Sequence, residues 1–237
     1  MTSEVEKQRA YYAETASDYD DAHVGAHGEH ETSILVFASL GARFGEPSSV
    51  LDVGAGTGRA IRRLKRLWPQ ARIVGIEPIR QLRDVAYQQG VAADELLDGD
   101  ATRLAFSDNS FDWVIETGAL HHIRNPGQAV AEMVRVARRG VMISDSNNIG
   151  QGGSLARLAK YLLKGSGLWP VAIWLQTGGK MYKESDGDGI YYSFTVFDQL
   201  RAVTKKFPEV HYLNTGAMAG YDLRRGAGHV MVLAYRL

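Results

Sequence analysis

The chain has 237 residues, with 27 lysines and arginines against 27 aspartates and glutamates, and no cysteine. That length admits one full α/β domain with a small insertion and is short for two. The charge balance removes any global field that would draw in a polynucleotide or an anionic membrane, and the missing cysteines exclude disulfides and thiolate metal sites.

The leading MTSEVEKQRA is charged and lacks the apolar core of a signal peptide. No apolar run approaches the roughly twenty residues needed to cross a bilayer. The expectation is one cytoplasmic domain over 1–237, with no nucleic-acid partner and no integral membrane association. Nothing in the composition speaks to oligomeric state.

Glu4 to Ala16 is expected to be helical, and the stretch from Tyr11-Tyr12 to Tyr19-Asp20-Asp21 is unusually aromatic and acidic. His23, His27 and Glu31 lie four apart and would share a metal-binding face on a continuous helix. Gly25 and Gly28 interrupt that helix, so no metal is assigned. Residues 1–31 read either as an arm that closes over a site or as a segment whose tyrosines pack it down. Ile34, Leu35, Ala38 and Leu40 then recur at helical spacing from Thr32 to Phe44, until Gly45-Glu46-Pro47 ends the run.

Val50 to Val53 is a short apolar strand with Asp52 near its carboxyl end, followed by Gly54-Ala55-Gly56-Thr57-Gly58. Glycines there let backbone approach a ligand without Cβ atoms in the way. From Arg59, the spacing of Ile61, Leu64 and Leu67 predicts a helix that stops before Pro69. Strand, glycine turn and helix start make a nucleotide-cofactor site at the end of a parallel strand. The dinucleotide fingerprint is missed, because its third glycine comes one residue early at Gly58, and no Gly-Lys-Ser/Thr makes a P-loop. Asp52 would repel a pyrophosphate and suits a ligand with an ammonium or sulfonium charge.

Arg72 to Ile76 is the second strand, ending at Glu77-Pro78. Glu77 follows the glycine turn by about twenty residues, the distance at which a carboxylate takes both ribose hydroxyls; the alternative is a surface cap for the next helix. Ile79, Leu82, Val85 and Ala86 form that helix. Glu95-Leu96-Leu97 is a third strand leading to Asp100-Ala101, and Phe111-Asp112 opens a fourth through Ile115. Glu116-Thr117-Gly118-Ala119-Leu120-His121-His122 leaves it, and one of the two histidines is a candidate for contact with cofactor or acceptor, against a purely structural role. A helix from Ala129 to Ala137 is expected to end at Arg138-Arg139-Gly140. Val141 to Ser144 is the fifth strand, and Asp145 and Asn147 beyond it are candidates for acceptor binding or proton removal, or for capping.

Residues 151–195 form a cap insertion. Leu155, Leu158 and Leu162 make an apolar stripe, Arg157, Lys160 and Lys164 an opposing one, and Trp169, Trp174, Tyr182, Tyr191, Tyr192 and Phe194 make it the most aromatic stretch. It reads as a roof over a flat or lipophilic acceptor, as a basic amphipathic segment resting on a membrane, or as an internal lid that packs on the domain. Gly178-Gly179 and Ser185 to Gly189 are expected to be loops. Val196 to Phe207 is a last helix, with strands at Val210 to Leu213 and His229 to Tyr235.

Val50 to Gly58 resembles the first motif of class I S-adenosylmethionine-dependent methyltransferases, and Glu116 to Pro126 resembles the small-molecule, quinone-methyltransferase-like branch. The resemblance covers about Tyr11 to Gly140. It implies a Rossmann-like α/β fold: a seven-stranded, mostly parallel sheet with an antiparallel last strand and helices on both faces. It implies S-adenosylmethionine as cofactor and S-adenosylhomocysteine as product. Cofactor contacts fall on Tyr19, Asp52, Gly54, Ala55, Gly56, Gly58, Glu77, Pro78, Asp100, Ala101, Glu116 and Thr117, with Asp100-Ala101 at the adenine amino group. Catalytic candidates are His121, His122 and Asp145, acting on a small organic, aromatic or lipophilic acceptor. A protein or nucleic-acid methyltransferase, or a non-catalytic cofactor-binding protein, is the alternative.

Overall fold

The computed structural model describes residues 3–16, 19, 28–43, 45–216 and 221–236. Buried, apolar segments form β1 (Ser49–Val53), β2 (Arg72–Ile76), β3 (Leu96–Leu97), β4 (Phe111–Thr117) and β5 (Ala137–Ser146). A separate hairpin is made by β6 (Tyr182–Ser185) and β7 (Gly189–Tyr192). With β8 (Glu209–Asn214) and β9 (His229–Tyr235), the main sheet has seven strands in the order β3-β2-β1-β4-β5-β9-β8. Strands β1 to β5 pair in parallel, and β9 runs antiparallel between β5 and β8. The expected fold class is therefore the observed one.

The described helices are α1 (Glu4–Thr15), α2 (Glu29–Arg43), α3 (Arg59–Leu67), α4 (Arg80–Gln88), α5 (Pro126–Val136), α6 (Ser154–Gly165), α7 (Trp169–Gln176), α8 (Leu200–Thr204) and α9 (Leu223–Gly226). Side chains alternate across a strand. Leu51, Val53 and Val114 therefore face one side, where Ala129, Val130 and Met133 of α5 cover them. Val50, Trp113 and Ile115 face the other, beneath Ile34 and Phe37 of α2 and Ile61 and Leu64 of α3. Among the described residues, no helix is long and apolar enough to cross a membrane.

Two expectations at element boundaries need correction. The chain does not turn at Arg138-Arg139-Gly140: β5 starts at Ala137, directly after α5. Gly140 is needed there because the Trp113 ring lies where its side chain would be, and Arg138 reaches back to Asp112. The last helix is also broken, into a single tight turn at Val196–Asp198 and the short α8. Thr195 holds that break, donating its hydroxyl to Asn147 at 2.8 Å while bridging the Asn147 backbone.

Asp112 anchors the amino-terminal end of the sheet. Its carboxylate accepts from the Ser48 backbone N–H at 2.7 Å, from the Ser48 hydroxyl at 2.6 Å and from Arg138 Nε at 3.0 Å. Asp112→Ala strands these donors and is expected to lower stability by about 1–3 kcal/mol, read from urea denaturation; an unchanged midpoint would contradict the anchor.

Candidate active site

The carboxyl ends of β1, β2, β4 and β5 open on one side of the sheet, and the glycine turn lies at their centre. Gly54 and Gly56 have φ of 76° and 53°, a region that disfavours side chains. A Cβ on Gly54 would overlap Ala119 of the loop after β4, and one on Gly56 would point toward Tyr19, 3.8 Å away. Two bonds of 3.0 Å, from the backbone N–H groups of Gly54 and Ala55 to the Ile76 carbonyl, fasten the turn to β2. Glu77 finishes the clamp, accepting from Gly56 N–H at 3.0 Å and Ile79 N–H at 2.9 Å. Burial pushes its pKa up to about 7, against the pull of those two amides. Those bonds occupy about half of the acceptor sites of a carboxylate, and the residue still borders the cavity beside it.

That cavity holds about 350 Å³ and is lined by Tyr19, Gly54, Gly56, Glu77, Pro78, Asp100, Ala101 and Thr117 among others. Asp52 and Ala55 border a smaller cleft of about 30 Å³ on the other side of the turn. Gly58 and Glu116 line neither. Gly58 lies against Val91 and Ala86, where a side chain would not fit. Glu116 is fully buried and accepts from the backbone N–H groups of Ala119 and Leu120, shaping the loop after β4; burial and then Asp145 raise its pKa.

Helix α1 roofs the cavity. Ser3 and Glu6 start it with a reciprocal capping box, the Ser3 N–H donating to Glu6 at 2.7 Å and the Glu6 N–H to Ser3 Oγ at 3.2 Å. Tyr12 packs on Ile79 and Leu82, Tyr11 donates to the Asp186 carbonyl at 2.8 Å, and Gln8 accepts from Ile190 N–H. Gln8, Arg9 and Tyr12 line the cavity, and sequence reasoning missed them. His23 and His27 lie outside the described residues, and Glu31 pairs with Arg63 at 3.5 Å.

Past Thr117 the two histidines meet a residue read only as loop. Asp188, in the turn joining β6 and β7, lies 3.4 Å from His121 Nε2 and 3.3 Å from His122 Nε2. On its other side, His121 Nδ1 is 2.6 Å from Asp145, which also accepts the His121 N–H at 3.2 Å. Burial alone would pull the His121 pKa down, but Asp145 and Asp188 together raise it to about 10. Both carboxylates are held well below their ordinary range by the imidazoles despite burial. His121 is thus an imidazolium between two carboxylates at neutral pH. Asp145 is fully buried, lines neither cavity beside it and orients His121. Donor atoms of His121, His122 and Asp188 lie within 4.8 Å of one another, a spacing that could hold a metal ion; the imidazolium already balances their charge, and no metal is assigned.

His122 is placed differently. Its Nδ1 is 2.7 Å from the Ile190 carbonyl and 3.1 Å from Gln8 Nε2, and its Nε2 is 2.9 Å from the Tyr12 hydroxyl and 3.3 Å from Asp188. His122 lines the cofactor-sized cavity, while His121 and Asp188 line a chamber of about 730 Å³ beneath the cap, with Trp169, Tyr182, Tyr191, Tyr192 and Lys160. A space of about 360 Å³, bordered by His121, His122, Asp188 and His30, joins the two. Burial pulls the His30 pKa down to about 3.

The family described as a methyltransferase domain matches residues 51–144, the stretch holding the glycine turn, Glu77 and both histidines. A crystal structure of magnesium protoporphyrin IX methyltransferase from Synechocystis, with S-adenosylhomocysteine bound, shares the fold at a TM-score of 0.61 and 16% identity, covering 97% of each chain. Residues 51–144 thus carry a methyltransferase domain, on a fold shared with an S-adenosylmethionine-dependent methyltransferase. A demethylmenaquinone methyltransferase of Deinococcus radiodurans is 38% identical to this chain over 97 residues, 40% of either chain. A malonyl-[acyl-carrier protein] O-methyltransferase of Xylella fastidiosa is 28% identical over 137 residues, 57% of this chain and 46% of that one. The chain thus spans less than half the length of these curated relatives.

Asp52 gives the protein a pH signature. It is 1% exposed, one carboxylate oxygen has no hydrogen-bond partner among the described residues, and burial raises its pKa to about 7. Between about pH 4 and 7 the folded chain keeps a proton that the unfolded chain releases, so this group costs stability progressively as pH rises through that window. Asp52→Asn is expected to raise the unfolding temperature of the ligand-free protein by several degrees at pH 8 and hardly at all at pH 4. Equal gains at both pH values would contradict a buried carboxylate there.

Proposed function

We propose that this protein transfers the methyl group of S-adenosylmethionine to a small organic acceptor, aromatic or lipophilic, held beneath the cap. The observation that carries this reading is the meeting of two chambers at His121 and His122, one shaped by the glycine turn and one by aromatic cap residues. When bound, S-adenosylmethionine supplies a methyl group already activated by its sulfonium. The glycine turn leaves room for such a ligand, and Asp52, with an unpaired oxygen near the turn, favours a cationic one. Glu77 offers its free lone pairs to the ribose hydroxyls, and Asp100 and Ala101 border the adenine end.

The chain's own residues then align the reactants and exclude water, which is where most of the barrier reduction in such a transfer arises. His122 borders the space that joins the two chambers and is assigned the proton that the acceptor loses. His121 borders the acceptor chamber and is held between Asp145 and Asp188. As the acceptor bonds to the methyl carbon, the methyl–sulfur bond breaks with its electron pair kept by sulfur, leaving S-adenosylhomocysteine.

The demethylmenaquinone and magnesium protoporphyrin IX named for two relatives support a small organic acceptor. Balanced charge disfavours a nucleic acid, and the chamber of about 730 Å³ disfavours a non-catalytic binding protein, whose acceptor space would be closed. A cytoplasmic location belongs to the same proposal.

The test is production of S-adenosylhomocysteine from S-adenosylmethionine across a panel of phenols, quinones and carboxylic acids. His122→Ala is expected to lower kcat about 100-fold or more while leaving S-adenosylhomocysteine affinity within a few-fold of the parent; undiminished turnover would remove His122 as base. Glu77→Ala is expected to weaken S-adenosylhomocysteine binding by about 1–3 kcal/mol, and a negligible loss would leave Glu77 as a clamp for the turn alone.

A further inference from the structure

Charge inside the cap chamber is one-sided. The charged side chains that line it are His121, Asp188, Lys160 and Lys183. Asp188 is already taken by the two imidazoles. Both lysines are half-buried. Among the described residues, Lys65 pairs with Glu95 and Lys164 with Asp198, whereas neither Lys160 nor Lys183 has a carboxylate within ion-pair distance. The charges acting on Lys160 are instead those of Lys183 and Arg157, and burial together with these cations holds its pKa below the ordinary range. Ammonium groups drawn partly out of water beside one another, without a counter-charge, are costly unless a ligand supplies one.

The chain fixes these cations without neutralising them. Lys160 Nζ donates to the Gln151 carbonyl at 2.7 Å and to the Asn148 carbonyl. Two of its three protons are thereby placed, and the third remains for a ligand. Lys183 stands on β6 opposite Tyr191 of β7. Alternation along the strand sends Glu184 away from the chamber that Lys183 and Ser185 line. Trp169, Tyr182, Tyr191 and Tyr192 make the walls around the two ammoniums. Aromatic walls take a flat apolar body, and two ammoniums take an anion that lies in the plane of such a body, as an aryl carboxylate does. Neither lysine borders the space that joins this chamber to the cofactor-sized cavity. The anion is therefore held apart from the atom that reacts.

We infer that the molecule bound beneath the cap is a planar aromatic carboxylate, anchored through its anionic group by Lys160 and Lys183 and methylated elsewhere on its skeleton. The two lysines set specificity, because a neutral molecule of the same shape would fill the walls and leave both ammoniums without a counter-charge. That the bound carboxylate accepts a methyl group rests on the proposed methyl transfer; the anion site itself does not.

Benzoate, 2-naphthoate and 9-anthroate would each be compared with the matching carboxamide by calorimetry on the intact chain, with and without S-adenosylhomocysteine. At least one acid is expected to bind about ten-fold or more tightly than its amide, with the preference shrinking as salt is added. Lys183→Gln should cut that acid-to-amide ratio about five-fold or more, and Lys183→Arg should keep it. Lys160→Gln should also cut it. Because Lys160 ties the Asn148 and Gln151 carbonyls, the two Lys183 variants carry the test if Lys160→Gln fails to fold. Equal binding of acids and amides, no binding of any acid, or a ratio unmoved by Lys183→Gln overturns the inference. Methylation of neutral acceptors as readily as of acids also overturns it, and leaves the methyl transfer standing. Lysine-dependent binding of the acids without S-adenosylhomocysteine formation from any acceptor would remove the methyl transfer and uphold the anion site.

Discussion

The site depends on a tie between two strand ends. Glu77 closes β2 and binds the amide of Gly56, in the turn that closes β1, with bonds from Gly54 and Ala55 to Ile76 beside it. Without that tie the turn would have no fixed position against the sheet, because its glycines carry no side chains that could pack it down. The arrangement has a cost, visible in the raised pKa values of Glu77 and Asp52. Two carboxylates are kept out of water, one of them with an oxygen unpaired. A fold tolerates such groups where they are positioned for a ligand.

The second determinant is the way remote segments close around the strand ends. Helix α1 and the β6–β7 hairpin come from opposite ends of the chain, and both lock onto the loop after β4. Tyr12 does so through His122, Asp188 through both histidines, and Gln8 joins helix to hairpin through Ile190. The imidazolium of His121 between Asp145 and Asp188 therefore connects the sheet to the cap. Chemistry and closure share the same side chains.

Much of this was legible in the sequence where the signal is local. The bounds expected for β2 and the start and end of β9 match the structure, and the turn from Gly54 to Gly58 is where the pattern puts it, because strand periodicity and glycine spacing act over a few residues. The packing of Gly58 against Val91 and the bonds of Glu116 to Ala119 and Leu120 show the limit, since neither partner is marked by the local pattern. Asp188 was read as loop because Ser185 to Gly189 has loop composition, and its partners are more than sixty residues away. Gln8 and Tyr12 were invisible for the same reason. Likewise, nothing within Arg138-Arg139-Gly140 says that a tryptophan from the neighbouring strand occupies the space over Gly140.

The most direct test of the central claim, that the tied glycine turn holds an adenosyl sulfonium cofactor, is calorimetric titration of the purified chain. S-adenosylmethionine and S-adenosylhomocysteine are each expected to bind at one site per chain with micromolar affinity, and a nicotinamide dinucleotide not at all. Binding of the dinucleotide in preference to both would contradict the reading of the turn, and the proposed function with it.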